Sequence, residues 1–189
     1  MLETLKVRDF RCFETAELRL DASTTLLLGR NGQGKTSLLE AACMLLRLQS
    51  PRTSVRQNVI RFGASSALTE GGLDGRDLRF VMTPRARRVA VDGVVCPKVG
   101  DYLAQSGRVV WLDHADMGLL RGGGDQRRRF LDFVASQTHA GYLKALRGYD
   151  RALRGRNYVL KRDAVVNWKE ADAFAGVMAE QAETLVSVR

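Results

Sequence analysis

The sequence predicts an α/β chain: a phosphate-loop lobe with an antiparallel β-meander, followed by a helical, coiled-coil-like arm. Three observations lead there. The octapeptide Gly29-Arg30-Asn31-Gly32-Gln33-Gly34-Lys35-Thr36 follows a short apolar run and opens an apolar, Leu- and Ala-rich segment. From about Ser66 to Val95, short β-rich runs alternate with glycine-containing turns. Beyond Pro97 there is no proline, glycines thin out after Gly122-Gly123-Gly124, and helical spacing takes over.

The elements follow in order. Leu2–Val7 and Glu17–Leu20 alternate apolar and polar residues, as half-buried strands do, with a turn over Arg8–Phe13 between them. Thr24–Leu28 is a short β-rich apolar run, expected to be a strand ending at Gly29. The run SLLEAACMLLRL is apolar around its circumference and reads as a buried helix stopped by Pro51. In the meander, Gly71-Gly72, Asp74-Gly75 and Asp92-Gly93 are the expected turns around runs such as Leu78–Met82 and Arg88–Val91. A short helix over Val99–Gln105 precedes an expected buried strand, Arg108–Leu112. Helices are expected over 126–138, about 141–162, and from about Val166 onward. Leu143, Leu146, Tyr149, Leu153 and Leu160 give a broken apolar stripe that suits a helical hairpin. The lobe is expected to span 1–138 and the partial arm 139–189.

Composition excludes several classes. Of 189 residues, 45% are hydrophobic and 27% charged, a globular balance that argues against global disorder. No apolar run approaches the 18 residues of a membrane span, and MLETLKVRDF has no basic start followed by an apolar stretch, so neither a membrane partner nor secretion is expected. Cys12, Cys43 and Cys96 are odd in number and lack paired spacing, which suits reduced thiols in a cytoplasmic protein; His114 and His139 are too scattered for a metal cluster. The net charge is +9, and 24 of the 30 basic residues are Arg. Guanidinium meets phosphate as a rigid fork, so such a chain favours phosphate-bearing partners.

The octapeptide matches G-x-x-x-x-G-K-[ST] at every fixed position, and a chance match in a chain this long is on the order of one in a hundred. Glycines let the backbone curl so that successive N–H groups face phosphate oxygens. Lys35 is expected to reach the β- and γ-phosphates of ATP, and the Thr36 hydroxyl to ligate Mg²⁺. Gly29 through Thr36 are therefore the expected cofactor-binding residues, with Thr36 the metal ligand.

Two later stretches imitate further parts of an ATPase. Val109–Asp113 is an apolar run ending in an acid, the form that holds Mg²⁺ in many phosphate-loop enzymes. Leu120-Arg121-Gly122-Gly123-Gly124-Asp125-Gln126 loosely matches LSGGQ. Asp113 is followed by His114 rather than Glu, Arg121 stands where Ser is expected, and no strand ending in Asp-Glu follows. A core strand and a glycine-rich turn account for both. The alternative is a self-contained phosphotransferase that uses Asp113, or a non-catalytic nucleotide-binding short form.

Taken together, these residues resemble the RecF family of DNA replication and repair proteins, SMC-like ABC-type ATPases. The resemblance rests on Leu5–Arg11, the loop GRNGQGKTSLLEA, Ser50-Pro51-Arg52-Thr53 leading to Ile60-Arg61-Phe62-Gly63, Gly122-Gly123 with Arg127–Asp132, and the run from Tyr142 to Lys161. Pro51 departs from the His of many relatives, and no Gln within 109–116 serves as a Q-loop residue. The resemblance implies that the lobe is an ABC-type head and that the arm is truncated. It also implies ATP-dependent binding of single-stranded, gapped and junction DNA in repair, replication restart and the SOS response. Recombination mediator proteins are the implied partners, with recombinase loading as the outcome. ATP hydrolysis is implied only for a head completed by a C-terminal half and dimerised on ATP.

DNA contact sites are less localised. Residues 141–162 carry seven basic groups and one acid, whereas 163–189 carry two and five. Arg147, Arg151, Arg154 and Lys161 recur at spacings of 3, 4 and 7 and can share a helix face. They are candidate phosphate contacts, or a solvated face, or partners of the acidic second helix. Arg85, Arg87 and Arg88 form a second candidate cluster, and Arg127–Arg129 a less defined one. Arg8 and Arg11 either border the nucleotide or form a surface turn.

Overall fold

The computed structural model describes residues 1–20, 23–113, 116, 118–119, 122–139, 141–162 and 167–188. Packing divides the chain into two compact units, Met1–Trp111 and Leu112–Arg189, so the division falls ahead of the expected boundary at 138.

The first unit is an antiparallel sheet covered on one face by a helix. Its strands are β1 (Thr4–Phe10), β2 (Phe13–Arg19), β3 (Ala67–Leu73), β4 (Arg76–Met82), β5 (Arg87–Val91) and β6 (Val94–Val95). They lie in the order β2-β1-β3-β4-β5-β6. The alternation seen in the sequence sets the register. Leu5, Val7, Thr69, Leu73, Leu78, Phe80, Met82, Val89 and Val91 are buried, while Lys6, Arg8, Arg79 and Arg88 are exposed. Strand β1 runs through Phe10, so the turn is the pair Arg11-Cys12 alone, and both Asp9 and Arg11 take positive φ there.

Helix α1 (Lys35–Arg47) packs Ala41, Met44 and Leu45 into this core. It ends where Leu48 turns left-handed and returns its N–H to the Met44 carbonyl. Helix α2 (Val99–Gln105) lies where the sequence put it, and its buried Tyr102 hydroxyl donates to the Leu45 carbonyl at 2.6 Å.

Three expectations are corrected. Gly71-Gly72 is not a turn but lies inside β3. A Cβ on Gly71 would meet the Thr4 carbonyl oxygen at 2.3 Å, so glycine here permits close strand pairing. Thr24–Leu28 forms no strand, and Leu26 and Leu28 are 76% and 82% exposed. Arg108–Leu112 forms none either, with Val110 at 85%. Apolar β-rich sequence is not enough without a partner edge, and among the described residues neither segment is paired in the sheet.

The second unit is helical: α3 (Gly124–Thr138), α4 (Tyr142–Arg162) and α5 (Trp168–Val188). Helices α4 and α5 form the expected hairpin. Small residues of α4 admit large ones of α5: Gly148 lies against Gln181 and Gly155 against the Phe174 ring. Ala135, Tyr142, Ala145 and Leu185 form a small core, and the Tyr142 hydroxyl bonds Asp132 of α3. The expected start of the last helix near Val166, His114, and Leu120-Arg121 lie outside the described residues. No described helix is long and apolar enough to cross a membrane.

Candidate nucleotide and nucleic-acid sites

The phosphate loop joins Gly29 to α1. Gly34 is the N-cap of α1 with φ 90°, and Gly32 has φ 82°, a left-handed conformation that side chains with a Cβ resist. Gly34 is also constrained by space. A Cβ there would stand 2.5 Å from the Phe13 ring and 2.7 Å from the Cys12 sulfur. The β1–β2 turn is therefore one wall of the loop.

Lys35 curls back over the loop. Its Nζ donates to the carbonyls of Gly29 and Arg30 at 2.7 and 2.8 Å. This holds an ammonium at the loop's centre. No side chain caps α1, and its first turn holds no acid. Its leading N–H groups have no intrahelical acceptor, and the helix dipole adds positive potential. A phosphate chain is the ligand this arrangement fits.

Thr36 is exposed in the first turn of α1. Among the described residues no group of three His, Cys, Asp or Glu side chains could hold a metal ion by itself. A cation at Thr36 would depend on phosphate oxygens for further ligands. Arg30, Asn31 and Gln33 are exposed along the rim. A cleft of about 240 Å³ beside α1 is lined by Leu5, Leu18, Leu27, Leu38 and Leu39. Its apolar lining does not suit a phosphate.

Asp113 does not end a strand, as its apolar run suggested. It is exposed, stands on no strand, and falls in the second unit. Its backbone N–H donates to Asp116 at 2.6 Å.

The sequence reading missed Glu40. It is fully buried in α1. Arg11 grips both carboxylate oxygens, Nε at 2.9 Å and a terminal nitrogen at 2.6 Å. The Ser50 hydroxyl donates at 2.5 Å and Arg52 at 3.2 Å. Arg11 is thereby committed to Glu40 rather than to bordering a nucleotide. The available signal was one acid inside SLLEAACMLL, because a charge on a buried helix needs cationic partners. Nearby, Cys43 has its thiol pushed up to about 12, by burial first and by Glu40 second. Burial also lowers the Arg47 guanidinium from its ordinary value.

The structure gathers one basic cluster and separates the others. Arg147, Arg151, Arg154 and Lys161 are all exposed on α4, joined by Lys144 and Tyr158 at matching helical spacing. This stripe spans roughly 25 Å at 1.5 Å per residue. Among the described residues none of the four is joined to α5 by a salt bridge; that link is Arg162 to Glu170 at 3.2 Å. Arg162 also lies over the Tyr158 ring, 5.7 Å from its centroid. In the meander, Arg85 is at the exposed β4–β5 turn and Arg88 on the solvent face, whereas Arg87 is half-buried on the other face. Arg8 and Arg88 share a cross-strand row in which Leu68 and Val81 stand between them. The adjacent row is neutralised by Lys6–Glu17 and Glu70–Arg79 ion pairs at 3.1 and 3.2 Å. In α3, Arg127 donates to the Gly122 carbonyl at 2.9 Å and Arg128 pairs with Asp125.

Comparison with known proteins places these features. A family model described as an AAA domain matches residues 4–82. The DNA replication and repair protein RecF of Lactobacillus johnsonii is 30% identical over 194 residues, covering 95% of this chain and 50% of its own length. RecF of an Anaeromyxobacter species is 37% identical over 164 residues, covering 85% and 44%. A solved structure of the recombination mediator protein RecF-ATPrS in the RecFOR pathway superposes with a TM-score of 0.88 at 24% identity, covering all of this chain and 53% of that one. The chain spans about half the length of the curated relatives it matches.

Proposed function

We propose that this chain, which is similar to RecF over the stretch it shares with those relatives, binds ATP with Mg²⁺ as the nucleotide-binding part of a DNA repair and replication protein. The observation that carries the proposal is Lys35 poised on the Gly29 and Arg30 carbonyls at the uncapped start of α1. Backbone N–H groups of 32–36 cradle the phosphates, and Lys35 neutralises their charge. Thr36 would hold Mg²⁺, which would supply positive charge to offset that of the phosphates. Binding without hydrolysis is the proposed activity of this chain alone, in keeping with Asp113, which lies on no strand. Hydrolysis belongs to an ATP-bridged dimer of full-length heads.

DNA is the proposed macromolecular partner, single-stranded or at a gap, with the α4 stripe as the main phosphate contact and Arg85 and Arg88 as a secondary one. Recombination mediator proteins are the proposed protein partners, and the cytoplasm the compartment. The stripe is exposed, repetitive and, among the described residues, not salt-bridged to the acidic helix, which suits contact with a regular phosphate backbone independent of base sequence.

Thermal unfolding with increasing ATP and Mg²⁺ tests the nucleotide reading. A ligand that binds only the folded state stabilises it by about 2.7 kcal/mol at a hundred times its Kd. The wild-type midpoint is expected to rise with ATP and that of Lys35→Ala to stay fixed; equal rises would overturn the assignment.

A further inference from the structure

We infer that Glu40 is a positioning residue for nucleotide binding, acting through Arg11 and the β1–β2 turn to hold one wall of the phosphate loop. The inference rests on the nucleotide reading above and extends it to residues outside the loop.

Glu40 lies five residues beyond Lys35 on the same helix and is fully buried. Its carboxylate accepts four hydrogen bonds from three side chains: two from Arg11, one from Ser50 and one from Arg52. The three come from separate stretches, the β1–β2 turn and the loop after α1. Ser50 then accepts the backbone N–H groups of Arg52 and Thr53, both at 3.0 Å, which folds that loop around the acid. Arg11 extends the network to the Asn58 carbonyl through its side chain, and to the Val59 carbonyl through its own N–H at 2.7 Å.

The consequence reaches the loop through Arg11. Arg11 has φ 54°, an uncommon conformation for a residue with a side chain, and it is tethered at both backbone and guanidinium. The next two residues, Cys12 and Phe13, are those that close on Gly34. The ion cluster therefore fixes the turn, the turn fixes the wall, and the wall abuts the glycine that starts α1. A bidentate Arg–carboxylate pair defines direction as well as distance, which Lys cannot reproduce. The segments Arg8–Phe13 and Ser50–Thr53, far apart in sequence, thus meet on one carboxylate.

The test uses the whole 189-residue chain and mant-ATP as probe, with DTNB reaction at Cys12 as a second readout. Cys12 is exposed, Cys43 is buried, and a Cys96→Ser background isolates the Cys12 signal. Glu40→Gln and Arg11→Lys are expected to weaken mant-ATP binding by about tenfold or more, since small misplacements in a preorganised site are costly. Both are expected to speed Cys12 modification without nucleotide. Arg52→Lys, at the longest bond, is expected to change both readouts least. Where circular dichroism shows that Glu40→Gln does not fold, Arg11→Lys carries the test, because it retains the charge opposite Glu40. A folded Arg11→Lys with wild-type affinity and wild-type Cys12 rate overturns the positioning role. Wild type and Lys35→Ala binding mant-ATP alike would instead overturn the nucleotide reading itself.

Discussion

Lys35 and Glu40 sit on one helix and illustrate opposite uses of charge. Lys35 is half-exposed and held by carbonyls, so its ammonium remains free to exchange those partners for phosphate. Glu40 is buried and saturated, so removing Arg11 takes away two of its four hydrogen bonds and leaves the charge under-compensated. An Arg11→Ala chain is expected to lose about 3–5 kcal/mol in denaturant unfolding, the usual cost of breaking a buried pair from one side. Thr69 presents the reverse case. Its hydroxyl is buried in β3 and finds no hydrogen-bond partner among the described residues. Thr69→Val is expected to raise stability by about 1–2 kcal/mol, since an orphaned hydroxyl costs that much to bury. Cys43 gives a pH prediction. Its thiol is raised from 9.0 to about 12 by burial, and burial likewise raises the Tyr102 hydroxyl. Both stay protonated in the fold while their unfolded counterparts ionise. Stability should be full below about pH 9 and fall as pH rises toward 12; a flat profile over that range, followed by urea unfolding, would contradict the burial.

At the scale of elements, α4 concentrates the prediction about DNA. Reversing Arg147, Arg151, Arg154 and Lys161 to Glu is expected to weaken binding to gapped duplex and to flatten the salt dependence by about 3–4 in log–log slope. Anisotropy titrations across salt concentrations would measure it, and an unchanged slope would remove α4 from the interface. Helices and meander strands were legible because each carries its own periodicity and its own turn residues. Val99–Gln105 and the runs within β4 and β5 needed nothing from elsewhere in the chain. Thr24–Leu28 and Arg108–Leu112 read as strands because apolar runs of that length usually are. A strand is defined by its neighbour, and periodicity carries no information about whether a neighbour exists. Gly71-Gly72 misled for a related reason. Glycine marks both turns and close backbone approach, and only the Thr4 carbonyl distinguishes them here. The phosphate loop was legible residue by residue because backbone geometry dictates its glycines. The Glu40 cluster was not, because its members are linked by folding across up to 47 positions of sequence, the separation of Arg11 from Asn58.

For the whole molecule, two compact units carry the two proposed phosphate contacts: a loop at 29–36 in the first and a basic stripe in the second. The net charge of +9 is therefore distributed unevenly. Part of the basic surface is neutralised in the sheet by Glu17 and Glu70, and Arg11 and Arg52 are consumed by Glu40. The central claim is that residues 29–36 of this chain bind ATP. Isothermal titration of the purified chain with ATP and Mg²⁺, beside Lys35→Ala, tests it most directly. The account predicts saturable one-site binding that the substitution abolishes or weakens by roughly ten- to a hundredfold, the loss expected when a charged hydrogen-bonding partner of the phosphates is removed. Equal affinity in the two chains, or no heat of binding in the wild type, would contradict it.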